Sequence, residues 1–192
     1  MKELKYIHIT KCAGTTIEDV GKKNNIQWGR FHKEYGWWHE CFPRKSEELK
    51  NKYDWFTIVR NPYDRILSEF YCKFRGIGKK KKIYDKFDVH DFNNYIKEKI
   101  LKRSKTGDHC TEQYKYIDEN ANIHIIHYEN LHIEFDELMK KYNLHIKIDK
   151  HSNKSTLNKK FTIESFSPEI IKLINKIYHE DFEMFDYQKI LI

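Results

Sequence analysis

Short apolar runs alternate along the chain with longer stretches of helical period. The first run, Leu4-Lys5-Tyr6-Ile7-His8-Ile9, is β-prone with partial alternation, and Thr10-Lys11-Cys12-Ala13-Gly14-Thr15-Thr16 follows it at once, which predicts a strand and a tight loop. Thr15 and Glu18 stand at the spacing of a capping box, so a helix is expected from about Thr16 to about Lys23. The same order returns at Trp55-Phe56-Thr57-Ile58-Val59, a predicted strand that Arg60 ends. Asn61-Pro62 then opens a helix, Asn being a favoured N-cap and Pro a favoured first helical residue. Ile66, Leu67, Phe70, Tyr71 and Phe74 follow at i, i+1, i+4, i+5 and i+8, which predicts one continuous core face. Further on, residues 91–103 predict a helix, 123–128 a third strand and 135–142 another helix. Ser167-Pro168 caps a last helix on which Ile170, Ile171, Ile174 and Ile177 share a face. Strands separated by helices predict an α/β fold with a parallel sheet and ligands at the carboxyl ends of its strands.

Composition narrows the class. A length of 192 residues fits one domain spanning 1–192, and 39% hydrophobic with 15% aromatic residues means a core built largely from Tyr, Phe and Ile. Seven Gly and three Pro are too few for a linker-like chain. The sequence contains neither the run of roughly 18 to 20 apolar residues that a membrane span needs nor the apolar start of a signal peptide, so the expectation is a soluble, cytoplasmic protein. Cys12, Cys41, Cys72 and Cys110 are about 30 to 40 residues apart and form no CxxC pair, which argues for reduced thiols rather than a zinc ribbon. Lys+Arg exceed Asp+Glu by 36 − 29 = 7, so an anionic partner is expected: nucleic acid, a nucleotide or an acidic polysaccharide. The Lys79-Lys80-Lys81-Lys82 run reads as a solvated loop.

The first loop carries the clearest chemistry. A helix N-terminus offers backbone N–H groups and partial positive charge, Gly14 permits close approach of the backbone to a ligand, and Lys11 adds a full charge, together suiting phosphate or a similar anion. It is not a Walker A loop, because Lys11 precedes the only Gly of the segment instead of following a second one. At the next strand end Arg60 is followed eight residues later by Ser68, off the apolar face, and a guanidinium and a hydroxyl suit a second phosphate. A plain strand-to-helix turn and an Arg60–Asp64 pair are the bland alternatives.

Taken together, Ile9-Thr10-Lys11-Cys12-Ala13-Gly14-Thr15-Thr16 and Arg60 with Ser68 resemble the two nucleotide-binding motifs of the sulfotransferases that use 3′-phosphoadenosine-5′-phosphosulfate (PAPS), in order and in spacing. The resemblance implies a P-loop-like three-layer sandwich, a central parallel β-sheet flanked by helices. It is nearest to the carbohydrate sulfotransferase branch, through His109-Cys110-Thr111-Glu112-Gln113-Tyr114-Lys115-Tyr116, residues 126–131, Asn153-Lys154-Ser155 and residues 178–182. Cys12 stands where Thr is usual, Glu112 replaces Pro, and the membrane anchor of Golgi members is missing; these departures bear on acceptor and compartment. By this resemblance Lys11, Cys12, Ala13, Gly14, Thr15 and Thr16 hold the 5′-phosphosulfate, Arg60 and Ser68 hold the 3′-phosphate, and Lys154 and Ser155 close over the donor. The implied reaction is in-line transfer of the sulfuryl group to an acceptor hydroxyl, leaving adenosine 3′,5′-bisphosphate, with no metal required.

A base must take the acceptor proton, and an imidazole is suited to it. His39 is the first candidate and His32 the second, both lying between the two donor motifs where the resembling carbohydrate enzymes carry their catalytic His. Trp28, Tyr35, Trp37 and Trp38 form a dense aromatic patch, read either as core or as a stacking surface for a glycan or phenol; Trp37 and Trp38, with His109, are the candidate acceptor contacts. His124, His127 and His132 are dispersed along a strand and turn, which does not suit a metal site. The competing functions are a P-loop phosphotransferase, which would need Walker A order and a magnesium-binding Asp, and a nucleic-acid-binding module, for which the sequence offers no basic helix, zinc finger or RNP-like motif.

Overall fold

The computed structural model describes residues 2–29, 39–104, 108–149 and 159–192. In chain order its elements are β1 (Leu4–Ile7), α1 (Gly14–Lys23), α2 (Glu47–Lys52), β2 (Asp54–Val59), α3 (Pro62–Phe70), α4 (Lys81–Tyr84), α5 (Val89–Leu101), β3 (Ile123–His127), α6 (Leu131–Lys141), α7 (Pro168–Ile177) and α8 (His179–Met184). The chain forms two compact units, one made of Met1–Arg60, Thr106–Asp108 and Gln113–Asn153, the other of Asn61–Lys105, His109–Glu112 and Lys154–Ile192.

The first unit holds the sheet. Among the described residues it has three strands in the order β1-β2-β3, all parallel, with Ile7 opposite Thr57 and Thr57 opposite Ile125. Parallel neighbours need crossover connections; the one from β1 to β2 carries α1 and α2, and within the same unit α6 packs on β3. The central strand is buried throughout its Trp55-Phe56-Thr57-Ile58-Val59 run, and Thr57 satisfies its hydroxyl by donating to the Ile7 carbonyl at 2.9 Å. Trp28 packs edge-on to Phe56 of β2 (5.5 Å between centroids) and to Phe135 of α6 (5.9 Å). Trp28 is therefore core, not part of an acceptor surface.

α1 begins two residues earlier than the Thr15/Glu18 spacing predicts. Its N-cap is Ala13, no side chain caps it, and Glu18 is buried beside His8 instead of reaching back to a cap. β3 and α6 meet through the short turn 128–130, where the Glu134 carboxylate accepts from the His127 backbone N–H at 2.6 Å and from Asn130 Nδ2 at 3.0 Å. That anchorage starts α6 at Leu131, four residues before the apolar pattern announces it.

The second unit is helical. As its sequence predicts, α3 is capped by Asn61, whose side chain accepts from the Tyr63 N–H at 3.0 Å, with Pro62 at the first position. Ile66, Phe70 and Tyr71 are core and Leu67 packs against it, but Phe74 is 71% exposed. The helix stops at Phe70, where a tight loop folds back on its end: Ile77 N–H donates to Phe70 O, and within the loop Gly76 N–H donates to Cys72 O. Gly76 sits so near the Glu69 carbonyl that a Cβ there would come within 2.1 Å of it. α5 starts at Val89 because Asp88 and Asp91 form a reciprocal capping box. Phe92 of α5 stacks on Phe161 (4.6 Å, 8°) and on Phe166 (5.5 Å, 13°), and Ile170, Ile171 and Ile174 of α7 complete the core, while Ile177 packs at its edge. The Lys79 to Lys82 side chains are exposed, Lys81 and Lys82 opening the single turn of α4.

Candidate active site

The loop between β1 and α1 has the geometry of an anion cradle. Lys11 (φ 67°) and Ala13 (φ 60°) both adopt the left-handed conformation, unusual for residues with a Cβ, and so alternate the backbone direction just before the helix. Such alternation turns successive N–H groups toward one concave point. The first intrahelical bond of α1 runs from Ile17 N–H to Ala13 O, so the amides of Gly14, Thr15 and Thr16 precede the helical ladder, and its first turn carries no acidic residue. The arrangement suits an incoming anion carrying several oxygens. Gly14 is needed for a different reason from the one the sequence suggests. A Cβ there would lie 1.9 Å from His8 Nε2, so the glycine makes room for an imidazole whether or not a ligand approaches its backbone.

Gln113, fully buried, ties this loop to the end of β2. Its Oε1 accepts from Arg60 N–H at 2.9 Å and from Cys12 Sγ at 3.2 Å, and its Nε2 donates to Arg60 O at 2.8 Å. The Cys12 side chain is thereby turned into the interior, and Cys12 offers a ligand only its backbone. The Arg60 guanidinium lies 4.1 Å from the centre of the Tyr128 ring and donates to Lys11 O at 3.4 Å. Thus the cation that the sequence assigns to the second phosphate is oriented from both ends, its backbone by an amide clamp and its head by an aromatic face.

His39 sits in the same unit. Its Nδ1 is 3.2 Å from the His8 carbonyl, and since a carbonyl oxygen only accepts, Nδ1 carries a proton in this contact, which in a neutral imidazole leaves the lone pair on Nε2. The ring meets His8 edge-on (4.4 Å between centroids), and His8, 8% exposed, has Nδ1 4.0 Å from Glu18 Oε1 and its other edge against Gly14. One imidazole therefore separates His39 from the anion loop. The segment following His39 is fastened by Lys45, which binds Glu40 at 3.1 Å over the Trp55 ring. Burial lowers the Lys45 pKa, with the Glu40 hydrogen bond and charge opposing it.

In the second unit Ser68 lies on α3, half-buried. The segment 109–112 is held by Arg65, which donates to Thr111 O at 2.8 Å, by Tyr178, which donates to Cys110 O at 2.7 Å, and by an Arg103–Glu112 ion pair at 2.8 Å. That pair gives Glu112, the departure from the usual Pro, a fixed partner. His109 Nδ1 is 2.6 Å from Glu69 Oε2. Burial alone would lower the His109 pKa, but hydrogen bonds to Cys72 and Glu69 outweigh it and raise the value.

Over residues 2–188 the sequence matches the family model described as "Sulfotransferase family". The chain belongs to the sulfotransferase family. It is accordingly an enzyme that transfers a sulfuryl group to a hydroxyl acceptor, in a family that generally uses PAPS as donor. No curated protein and no solved structure matches it.

In this sulfotransferase the first unit brings together Lys11, Ala13, Gly14, Thr15, Thr16, Arg60 and His39, with Cys12 contributing only main chain. His32, Trp37, Trp38, Lys154 and Ser155 lie outside the described residues, as does Tyr35. His124 bonds the Tyr142 hydroxyl at 2.9 Å and His127 pairs with Glu134. Two contributors escaped the sequence reading as side chains with a role, His8 and Gln113. The second had a signal, because Gln113 lies in the His109 to Tyr116 segment that carries part of the resemblance to the carbohydrate branch. Among the described residues no helix is long and apolar enough to cross a membrane.

Proposed function

We propose that this enzyme transfers the sulfuryl group of PAPS to a carbohydrate hydroxyl, with His39 as general base. The observation that carries the reading is the loop at residues 10–16, where two left-handed residues and an uncapped helix start surround Lys11. Its backbone amides, with the Thr15 and Thr16 hydroxyls, hold the oxygens of the 5′-phosphate, and Lys11 neutralises the charge that grows there as the sulfur–oxygen bond to the donor breaks. Arg60, aimed by Gln113 and Tyr128, takes the 3′-phosphate, and Ser68 is the hydroxyl that the family motif assigns to the same group. This charge at the 3′ position is what distinguishes the donor from ATP. His39 Nε2 accepts the acceptor proton as the new sulfur–oxygen bond forms, its Nδ1–H held by the His8 carbonyl so that the lone pair stays on the reacting side of the ring. His32 is the alternate base, Trp37 and Trp38 stack on the sugar, and Lys154 and Ser155 close over the donor.

One sulfotransferase domain over residues 1–192 is supported by the family match over residues 2–188. A cytoplasmic setting is supported by the four cysteines, all buried and none in a disulfide. Labelled PAPS offered with uronic-acid polymers, neutral oligosaccharides and simple phenols tests the assignment. Transfer to a glycan is expected, transfer to phenols alone would replace the acceptor, and transfer to none under conditions where bisphosphate binds would refute catalytic competence.

A further inference from the structure

A second chemical cluster lies within the helical unit. Glu69 ends α3 and Cys72 follows three residues on, in the turn that Gly76 and Ile77 fold back over the helix end, so both side chains face the same way. The segment 109–112, fastened by Arg65 and Tyr178, delivers His109 to them. One donor atom from each of the three residues lies within 4.8 Å of the other two, the one such grouping of His, Cys and acidic side chains among the described residues. Glu69 and His109 side chains are 3% and 17% exposed, and Cys72 is buried. The Tyr95 phenol lies near enough that, after burial itself, the charges of Glu69, Cys110 and Cys72 raise its pKa.

We propose that Glu69, Cys72 and His109 form a zinc(II) site with three protein ligands and a fourth position for water or another exogenous donor. The donor set selects the metal: thiolate and imidazole favour zinc over magnesium or calcium, and one cysteine is too few for an iron–sulfur cluster. Charge fits as well, since a carboxylate, a thiolate and a neutral imidazole cancel the two positive charges of the ion, as a buried site requires. Tetrahedral zinc with bonds of about 2.0 to 2.3 Å holds its ligand atoms about 3.3 to 3.6 Å apart. The cluster is within reach of that geometry once the Glu69–His109 hydrogen bond, 2.6 Å long, opens by about 0.7 Å. On binding, the Cys72 thiol gives up its proton to solvent and its sulfur bonds the metal, while the His109 Nδ1 proton that bridges to Glu69 leaves Nδ1, so that the neutral ring carries its proton on Nε2 and ligates through Nδ1. The ion then staples the end of α3 to the 109–112 segment, and His109 becomes a metal ligand in place of the acceptor contact expected from its sequence. Nothing in this site depends on the transfer reaction proposed above.

Titration of the chelator-treated full chain with cobalt(II) tests it. We expect one equivalent to bind with visible bands of tetrahedral intensity and a near-ultraviolet thiolate-to-cobalt band, both bleached by zinc. Cys72→Ser should lose the thiolate band, and Glu69→Gln, which keeps a hydrogen-bonding partner for His109, should weaken cobalt binding by about tenfold or more. Zinc at a hundred times its dissociation constant should raise the melting temperature by about 5 to 10 °C. Absence of stoichiometric binding, binding without a thiolate band, or a band that survives Cys72→Ser would overturn the proposal. Should Cys72→Ser fail to fold, by circular dichroism, the Glu69→Gln affinity decides, and unchanged affinity there overturns it equally.

Discussion

Replacing Gln113 tests whether the amide clamp aims Arg60. Gln113→Ala removes the acceptor of the Arg60 N–H (2.9 Å) and of Cys12 Sγ (3.2 Å), and the donor to Arg60 O (2.8 Å). Each backbone group left without a partner costs about 1 to 3 kcal/mol, and because Arg60 is half-buried and water can reach part of it, the two together cost about 2 to 4 kcal/mol. At about 2 to 4 °C per kcal/mol for a chain of this size, the melting temperature should fall by about 5 to 15 °C. The site should suffer too. A charge-assisted bond from Arg60 to phosphate contributes about 1.5 to 3 kcal/mol, so Arg60→Ala should weaken adenosine 3′,5′-bisphosphate about 10- to 150-fold, and Gln113→Ala should forfeit about tenfold of that. Gln113→Glu has the same shape but faces a carboxylate oxygen against Arg60 O at a position with no solvent exposure, and should be more destabilising than the alanine. Denaturant unfolding and calorimetric titration of both single variants and of Arg60→Ala/Gln113→Ala read these effects. In the double variant the affinity losses should overlap, not add. A Gln113→Ala protein that binds bisphosphate as the parent does, while Arg60→Ala does not, would refute the clamp as an aiming device.

Three further outcomes are expected. His39→Ala should lower turnover by about 10²- to 10⁴-fold while bisphosphate affinity stays within about twofold; single-turnover transfer and calorimetry check both, and full activity would move the base elsewhere. Gly14→Ala would drive a Cβ to within 1.9 Å of His8 Nε2 and should destabilise the chain by about 1 to 3 kcal/mol in urea, with His8→Ala restoring part of the loss in the double variant; a neutral Gly14→Ala would show that the loop does not need that contact. Lys45 has its pKa lowered, chiefly by burial, so between that value and about 10.5 the unfolded chain binds more protons and stability should rise with pH. The rise should vanish in Lys45→Met, and an identical pH profile in both proteins would contradict it.

What the sequence made legible were features set within a few residues of themselves. Asn61-Pro62 declares the start of α3 because cap and ring act on adjacent backbone, and Ser167-Pro168 does the same for α7. The anion loop was visible as a residue order, but its mechanism lies in the left-handed Lys11 and Ala13, a conformation their identities do not advertise. Thr15 and Glu18 misled because the helix starts at Gly14 with Ala13 as its N-cap, which puts Thr15 inside the helix and leaves Glu18 buried near the His8 ring. Phe74 continued the apolar period of α3 in sequence only, since the turn at Cys72 to Gly78 ends the helix through carbonyl contacts that periodicity does not encode. His8 and Gln113 act on residues up to 101 positions away, and partners at that separation are fixed by sheet register and loop closure. Trp28 was placed with the aromatic patch by proximity in sequence, whereas its ring belongs between Phe56 and Phe135.

The most direct test of the donor assignment is a thermal-shift titration of the wild-type chain with adenosine 3′,5′-bisphosphate, Mg-ATP and single-stranded DNA, repeated on Lys11→Ala. Bisphosphate at a hundred times its dissociation constant should add about 2.7 kcal/mol, a rise of roughly 5 to 10 °C, with a weaker response in Lys11→Ala and none to ATP or DNA. A shift with Mg-ATP or DNA and none with bisphosphate would contradict PAPS as the donor.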